Sequence, residues 1–384
     1  IDSITFNIDV PGEESGKDVK LGISNQLRET AGVLYVNKPN NKSARRMYPE
    51  YPIFKADVGA VVYFDGSDIL DGVYDKSIYF TIPAFELDSA SSSDPNVIKF
   101  KGVFTSGGIF PDFDEELVIM PDNSLGFDHK LPYVGFKTYN GTGTVYNRIT
   151  MDKKGLRSSG KVDFLTSTLF SDDFVYFTDS VTTDGESAEI KPKTLEEVSY
   201  PMASINNYRM LWFPKTDSMY ITSKEEPFQM YENTATLDGT ALLTTSGFYA
   251  DGSLFTRGSE SVSENFQMKE RAIAARNAFF KVQSSDPEKP SLAAQGVSVD
   301  FNLETNLADI KSEQDGRSVL DFPFTQVRTS IGEARWDLEK KIISMSKPED
   351  VDIEQSYFYT TKLEMDSLVF NATGAIYDID KLEM

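Results

Sequence analysis

Apolar and polar residues alternate along much of this chain with a period of two residues. Such a period places alternate side chains on opposite faces of a β-strand, whereas a helix face recurs about every 3.6 residues. The pattern therefore predicts short strands, each with one buried face. The clearest segments are Ala60–Phe64, Ser77–Ile82, Val97–Phe104, Leu117–Met120 and Ser218–Thr222.

Asp-Gly pairs punctuate these segments and predict the turns between them. Aspartate and glycine both tolerate the left-handed backbone that tight turns require. Short strands joined by such turns predict an all-β fold with little helix. The pairs are Asp65-Gly66, Asp71-Gly72, Asp184-Gly185, Asp238-Gly239, Asp251-Gly252 and Asp315-Gly316.

Two stretches of the chain repeat each other without a gap. Gly155 falls on Gly247, and the spacing (247 − 155 = 92) holds across both stretches. A fixed period is typical of repeat architectures, in which each unit buries its apolar face on its neighbours. The other matches are Leu156 with Phe248, Gly160 with Gly252, Val162 with Leu254, Ser171 with Ser263, Phe174 with Phe266, Phe136 with Phe228, and Tyr139 with Tyr231. We expect six of these residues, Phe136, Phe228, Phe174, Phe266, Leu156 and Phe248, to form the core and Gly155, Gly160, Gly247 and Gly252 to supply turns.

One segment, Asn265–Phe280, contains enough helix-forming residues to suggest a helix. The segment aligned with it, which starts at Asp173, is rich in β-branched residues, and these favour strands. We therefore predict strand rather than helix here.

The repeat and a weaker echo between Trp212 and Trp336 suggest modules of about a hundred residues. The predicted division has an N-terminal β module or cap at 1–100 and β repeat units at 101–200 and 201–290. A partial repeat unit at 291–384 is expected to continue beyond the chain. The units would be β-sandwiches, jelly rolls or β-solenoid-like layers.

Composition fits a folded protein, since 40% of the 384 residues are hydrophobic and 12% are aromatic. The formal net charge of −22 makes nucleic acid an improbable partner. Cysteine is absent, which disfavours a eukaryotic secreted module, since these usually carry disulfides. We expect no transmembrane segment, because no stretch approaches the roughly 18 apolar residues that spanning a bilayer requires.

Candidate catalytic residues are few. The only histidine, His129, lies in a turn-like run and is interpreted as a surface-loop residue. The acidic run Pro111–Glu116 could supply the two carboxyl groups of a glycoside hydrolase. In a chain with 60 acidic residues, such a run is more typical of a solvated face. We therefore expect that the protein is not an enzyme.

Calcium is the one cofactor that the sequence suggests, because hard cations take oxygen ligands and acidic loops supply them. None of these loops matches the EF-hand calcium-binding pattern. The candidate ligands are Asp65, Asp68, Asp71, Asp112 and Asp114.

Several motifs resemble the large repetitive secreted or envelope proteins of Bacteroidetes-type bacteria: K-P-N-N-K-S, Y-P-E-Y-P-I-F, S-L-G-F and the G-L-x-x-x-G step. The resemblance implies a periplasmic or cell-surface location in the bacterial envelope. It also implies O-glycosylation at Asp-Ser tripeptides, which contain Ser3, Ser89, Ser180, Ser218 and Ser367.

The leading hypothesis is a non-enzymatic structural or interaction module of a long β-rich repeat protein on a bacterial envelope. Its partners would be other envelope proteins or neighbouring repeat units. The units A-T-L-D-G-T-A-L-L and A-R-N-A-F-F-K-V also resemble the stacked β-units of lipopolysaccharide-transport bridge proteins. That resemblance implies a lipid or hydrophobic-ligand conduit with a jelly-roll groove. A glycan- or calcium-binding surface module is the remaining alternative.

Overall fold

The structure, a computed structural model, describes residues 3–8, 27–28, 30–35, 38, 46, 48, 50–51, 53–88, 98–286, 288–313, 320–362, 364 and 368–384. Nearly all of its regular structure is β-strand, which confirms the predicted all-β fold with little helix. The chain divides into two compact units. The first comprises residues 1–164, 170–183 and 213–215, and the second comprises 165–169, 184–212 and 216–384.

The first fourteen strands lie in the first unit. They are β1 (Ser3–Ile8), β2 (Leu27–Arg28), β3 (Thr30–Tyr35), β4 (Ile53–Ala56), β5 (Ala60–Tyr63), β6 (Ile78–Ile82), β7 (Phe85–Leu87), β8 (Lys99–Ser106), β9 (Phe113–Ile119), β10 (Leu125–Lys130), β11 (Phe136–Thr138), β12 (Gly143–Val145), β13 (Arg148–Asp152) and β14 (Gly155–Phe164). Strands β1, β3, β4 and β7 form a four-stranded antiparallel sheet. Strands β5, β6, β8, β9, β10, β13 and β14 pair antiparallel in succession.

The strands that follow include the longest in the chain. They are β15 (Ser167–Tyr176), β16 (Val181–Ile190), β17 (Lys193–Leu195), β18 (Val198–Tyr200), β19 (Ala203–Phe213), β20 (Ser218–Ser223), β21 (Phe228–Met230), β22 (Ala235–Thr244), β23 (Gly247–Thr256), β24 (Ser259–Lys269), β25 (Ala272–Val282), β26 (Leu292–Asn302), β27 (Leu307–Ser312), β28 (Leu320–Phe322), β29 (Val327–Thr329), β30 (Glu333–Asp337), β31 (Ile342–Ser346), β32 (Tyr357–Thr360), β33 (Val369–Asn371) and β34 (Gly374–Asp378). In the second unit, β20, β22, β23, β24, β25, β26, β27 and β30 pair antiparallel in succession.

Helical structure in the described residues is confined to short 3-10 turns. Their bounds are Leu70–Gly72, Tyr139–Gly141, Pro214–Thr216 and Ile353–Gln355. None of the helices in this part of the chain has the length and apolarity to cross a lipid bilayer. Residues 265–280, the one segment with helix-forming composition, lie largely in β24 and β25, as predicted.

The 92-residue spacing recurs in the strand bounds. Strands β14 and β23 begin and end 92 residues apart, and so do β11 and β21. In the second copy, the single strand β22 covers the positions that β12 and β13 divide between them in the first. The division into four modules stays a prediction.

Alternate residues of these strands point into the core, as the period of two requires. Of the six matched aromatic and leucine residues predicted to be buried, five have at most 1% of their surface exposed: Leu156, Phe174, Phe228, Phe248 and Phe266. Phe136 is only half-buried and contacts the imidazole of His129, with ring centroids 5.6 Å apart.

Three Asp-Gly pairs were wrongly predicted to form turns. Asp184-Gly185, Asp238-Gly239 and Asp251-Gly252 lie inside strands of ten residues, which exceed the predicted length. Gly239 and Gly252 face each other where the register of β23 against β24 shifts. Gly252 has a φ of +125°, and a Cβ there would lie 2.2 Å from the Asp238 carbonyl oxygen. Glycine thus permits a bulge within a long ribbon.

Some of the remaining Asp-Gly pairs and matched glycines lie at turns, and others lie within strands. Asp65-Gly66 and Asp71-Gly72 lie in the connection between β5 and β6, as predicted, and Asp315-Gly316 lies outside the described residues. Gly155 and Gly247 each begin a strand directly after a hairpin turn. Gly160 and Gly252 instead lie in mid-strand, so the prediction that they supply turns is wrong.

In both copies of the repeat, a buried tyrosine hydrogen-bonds to the carbonyl oxygens on either side of a hairpin turn, an arrangement that we call the corner. The Tyr139 hydroxyl donates to the carbonyl oxygen of Phe177 at 2.6 Å and also lies 2.9 Å from that of Ser180. Its counterpart 92 residues later makes equivalent contacts: the Tyr231 hydroxyl lies 3.0 Å from the carbonyl oxygen of Lys269 and 3.4 Å from that of Ala272. The acceptors Lys269 and Ala272 lie 92 residues after Phe177 and Ser180, the acceptors of Tyr139.

The backbone of the two corners is also the same. Tyr139 and Tyr231 have φ values of +47° and +49°, in the left-handed region that only a firmly held non-glycine residue adopts. In each corner a threonine three residues later donates its hydroxyl to the tyrosine carbonyl oxygen, Thr142 at 3.0 Å and Thr234 at 2.7 Å. We call these two residues the corner tyrosines.

Replacing a corner tyrosine by phenylalanine should destabilise the fold. The Tyr231→Phe substitution keeps the ring but leaves two strand-end carbonyls without their donor, so we expect it to lower the free energy of unfolding by about 1–3 kcal/mol. Chemical denaturation monitored by circular dichroism measures the change. The matched control is Tyr79→Phe, a half-buried tyrosine on β6, which should change the stability by less than about 0.5 kcal/mol. Equal stability of Tyr231→Phe and the wild type would contradict the assigned role.

Buried tyrosine hydroxyls also make the fold sensitive to alkali. Tyr74 donates to the carbonyl oxygen of Tyr176 at 2.8 Å and accepts from the backbone N–H of Leu156 at 2.8 Å. Burial, opposed in part by that N–H, raises the pKa of Tyr74 from 10.0 to about 12. Burial likewise raises the pKa of other hydroxyls, those of Tyr139, Tyr176, Tyr208 and Tyr231.

A raised pKa means that the folded state holds its proton more tightly than the unfolded state. The stabilisation is therefore complete below pH 10 and is lost as the pH rises to about 12. For Tyr74 the loss should reach roughly 3 kcal/mol. Denaturant titrations across this pH range should show a steep fall in stability, which is smaller in Tyr74→Phe than in the wild type. Identical slopes in the two proteins would exclude this role for Tyr74.

Candidate binding groove on the outer face of the second unit

An open groove of about 760 Å³ lies on the second unit, across strands β20, β22, β23, β24 and β25. It occupies the outer face of this ladder, which carries the side chains that alternate with the buried ones. One line of its residues runs straight across the strands, because each lies opposite the next in the register: Tyr220, Leu242, Tyr249, Gln267 and Ala274. We call this line the apolar row, since it begins with two tyrosines and a leucine.

A second line runs beside the first on β22 to β25, two residues away along each strand, with Glu264 one residue beyond. We call it the polar row, and it contains Thr240, Asp251, Glu264, Asn265 and Arg276. Asp251 lies opposite Thr240, and Asn265 lies opposite Arg276. Side chains two residues apart on one strand share a face, so both rows face the same groove.

The sequence makes this part of the sheet concave. The register shifts between Ala250 and Gly252 on β23, and again between Ala275 and Ala278 on β25. Such bulges bend a strand and increase its twist. At the end of the apolar row, Ala274 contributes only a methyl group beside the longer side chain of Gln267.

The groove presents hydrogen-bond donors and acceptors together. Asp251 and Glu264 supply carboxylate oxygens, and Asn265 and Gln267 supply amides that both donate and accept. Arg276 supplies the positive charge and is held by Asp300, with Nη2 2.8 Å from Oδ1. Tyr249 donates its hydroxyl to the Ser246 carbonyl oxygen at 3.2 Å, which fixes the ring at the groove wall. Tyr220 is 38% exposed.

The first copy of the repeat carries different chemistry at these outward positions. Asp128, Thr150 and Arg157 lie 92 residues before Tyr220, Leu242 and Tyr249. They are charged or polar, and two of them form ion pairs on the first unit. Asp128 binds Arg148 at 2.8 Å.

Arg157 shows the contrast most clearly. It binds Asp152 at 2.6 Å and Asp173 at 3.1 Å, where the second copy has a tyrosine in the groove wall. Of the inward positions beside it, Leu156 falls on Phe248 and stays apolar, whereas the buried Ser158 falls on Ala250. The apolar row therefore belongs to the second copy alone.

None of the candidate site residues named from the sequence lies in the groove. Its members come from five strands, so no single local motif contains all of them. One signal was available: tyrosines at the outward positions Tyr220 and Tyr249, where the matching positions of the first copy hold charged residues.

The structure does not bring the calcium candidates together into a site. Asp65, Asp68 and Asp71 lie in the connection between β5 and β6, Asp112 directly precedes β9, and Asp114 lies on β9. Across the described parts of the chain, no three acidic or histidine side chains are grouped so that they could hold a metal ion.

His129 lies on β10, so its interpretation as a surface-loop residue was wrong. Its imidazole contacts two phenylalanines, with ring centroids 4.3 Å from Phe113 and 5.6 Å from Phe136, and those two rings also contact each other at 5.6 Å. Its Nδ1 lies 2.6 Å from the Oε2 of Glu115. The strand pairing of β10 with β13 overrides the turn-forming residues around the histidine.

The acidic run is used in cross-strand contacts. Glu115 binds His129, as described, and Glu116 lies 3.6 Å from the Nζ of Lys99 on the neighbouring strand β8. Val103 of β8 lies opposite Asp114. Two carboxylates of this run, Glu115 and Glu116, therefore bind side chains on neighbouring strands of the sheet.

The proposed glycosylation serines fall in different environments. Ser180 lies in the turn between β15 and β16 and donates to the Asp179 carboxylate at 3.1 Å. Ser218 begins β20 and donates to the Thr216 carbonyl oxygen at 2.9 Å. Ser3 is the first residue of β1. Ser89 and Ser367 lie outside the described residues.

Comparisons with known proteins identify no relative of this chain. No protein-family model, no curated protein and no solved structure matches it. Evidence on its function therefore comes from its own repeat and from the groove.

Proposed function

We propose that this chain is a non-enzymatic structural and interaction module, and that the groove of the second unit is its interaction surface. The observation that carries the proposal is the contrast between the two copies of the repeat. They share their inward apolar residues and their corner tyrosines, but only the second has the apolar row with Tyr220 and Tyr249.

Physical reasoning supports a binding role for that row. Packing dictates the inward residues of a ladder, whereas outward residues contribute little to stability and are free to differ. Partly exposed tyrosines grouped in a concave surface offer a large contact area, and aromatic residues dominate the energy of many interfaces. The fold does not require them, because the first copy is built without them.

The contacts of the catalytic candidates support the non-enzymatic part of the proposal. His129 contacts two phenylalanines and is bound to Glu115, and Glu116 lies near Lys99. These are cross-strand contacts of the kind that stabilise a sheet. They give the titratable residues of this region a structural role.

We further propose a location in a bacterial envelope, with other envelope proteins or neighbouring repeat units as partners. The resemblance in sequence to Bacteroidetes-type envelope proteins supports this location. The net charge of −22 and the absence of cysteine are compatible with it. Glycosylation at the five serines belongs to the same proposal.

Replacing Tyr249 by the residue of the first copy tests whether the apolar row serves binding or folding. If the row is an interaction surface, Tyr249→Arg should change the free energy of unfolding by less than about 0.5 kcal/mol. Thermal and chemical denaturation measure this. The matched control is the inward neighbour Phe248, where Phe248→Ala should cost about 3–5 kcal/mol. A loss from Tyr249→Arg as large as that from Phe248→Ala would make the row part of the folding core.

A hydrolysis assay tests the non-enzymatic part. We expect no release of reducing sugar from soluble polysaccharides by the wild-type protein, and no difference from an Asp114→Asn, Glu115→Gln double variant. Activity present in the wild type and lost in that variant would show that the acidic run is catalytic. Circular dichroism of the variant controls for loss of fold.

A further inference from the structure

The shape of the groove matches a ligand with one apolar face and one edge rich in hydroxyl groups. The apolar row contains the rings of Tyr220 and Tyr249 with Leu242 between them. The polar row runs parallel to it, about 7 Å away along the strands, since each residue rises by about 3.3 Å. A sugar ring has this same division, with C–H groups on its face and hydroxyl groups around its edge.

The length of the apolar row favours a chain of sugars over a single one. Tyr220 and Tyr249 are separated by two inter-strand spacings, which amounts to roughly 10 Å. This distance exceeds one sugar ring. Two rings of an oligosaccharide could therefore stack on the two tyrosines while their hydroxyl groups reach the polar row.

The polar row favours hydroxyl groups over anionic ligands. A hydroxyl group both donates and accepts, and the row offers acceptors at Asp251 and Glu264 and donors at Asn265 and Arg276. The two carboxylates would repel an anionic ligand, while the charge of Arg276 is already paired with that of Asp300. An acyl chain would leave the carboxylates desolvated without a hydrogen-bond partner, which is costly.

We propose that this groove binds a neutral carbohydrate chain, an inference that rests on the proposed function of the groove as an interaction surface. Rings stack on Tyr220 and Tyr249, and hydroxyl groups bind the polar row. The matching face of the first copy, covered by the ion pairs of Arg148 and Arg157, does not take part.

Affinity electrophoresis of the whole chain tests the inference. Native gels that contain galactomannan, xyloglucan, laminarin or dextran would show binding as slower migration. We expect the wild type to be retarded by at least one of these neutral polysaccharides. Calorimetry with that polysaccharide should then give an affinity that Tyr249→Ala weakens about 10-fold or more, equivalent to about 1.4 kcal/mol.

Two further variants separate a binding role from a general effect. Tyr249→Phe keeps the ring face and should retain most of the affinity. Tyr79→Ala removes a half-buried tyrosine from β6, outside the groove, and should be retarded like the wild type. Retardation that persists unchanged in Tyr249→Ala would overturn the inference, and so would migration unaffected by all four polysaccharides.

A cationic partner is the distinct alternative. Binding of poly-L-lysine that Asp251→Asn abolishes, together with no response to the polysaccharides, would refute carbohydrate recognition. It would leave the groove as an interaction surface. The proposal that the groove is an interaction surface is tested separately, by the stability of Tyr249→Arg. A large loss of stability in that variant would contradict it.

Discussion

The register of the antiparallel ladder is the constraint on which the rest of the structure depends. Each strand has a period of two, so a slip of one residue would move Phe248 and Phe266 from the core to the solvent. Long strands of ten or eleven residues fix the register through many backbone pairs. Where the register between neighbouring strands must shift, the facing glycines Gly239 and Gly252 allow a bulge. The corner tyrosines then tie the strand ends to the turns.

This constraint divides the surface into two classes of position. Inward positions must fit a close-packed core, so the two copies resemble each other there. Outward positions only have to tolerate water, so one copy carries ion pairs and the other an open groove lined by tyrosines. The bulges that keep the register also shape that groove, because they bend the sheet beneath it. The binding capacity that we propose would therefore arise from residues that the fold leaves unconstrained.

Features that depend on local pattern could be predicted from the sequence. The all-β fold, the strand in residues 265–280 and the burial of Phe266 follow from alternation and from the internal repeat. Turns at Asp238-Gly239 and Asp251-Gly252 could not be assigned correctly, since the length of a strand depends on its pairing partners. His129 looked like a loop residue for the same reason. The groove was missed because Tyr220 and Tyr249 become neighbours only through the pairing of β20, β22 and β23.

The similarity of the inward positions also bears on how the chain reaches its fold. Strands β14 and β23 offer similar apolar side chains to a core, so core packing alone discriminates poorly between them. Repeat proteins misassemble characteristically by exchanging equivalent elements. Placing β23 where β14 belongs would leave Asp152 and Asp173 without Arg157. Discrimination between the correct and the exchanged strand thus depends on polar contacts more than on apolar packing: the partly buried ion pair of Arg157 with Asp152, and the buried hydrogen bond between Ser158 and Tyr176, for which β23 has Ala250.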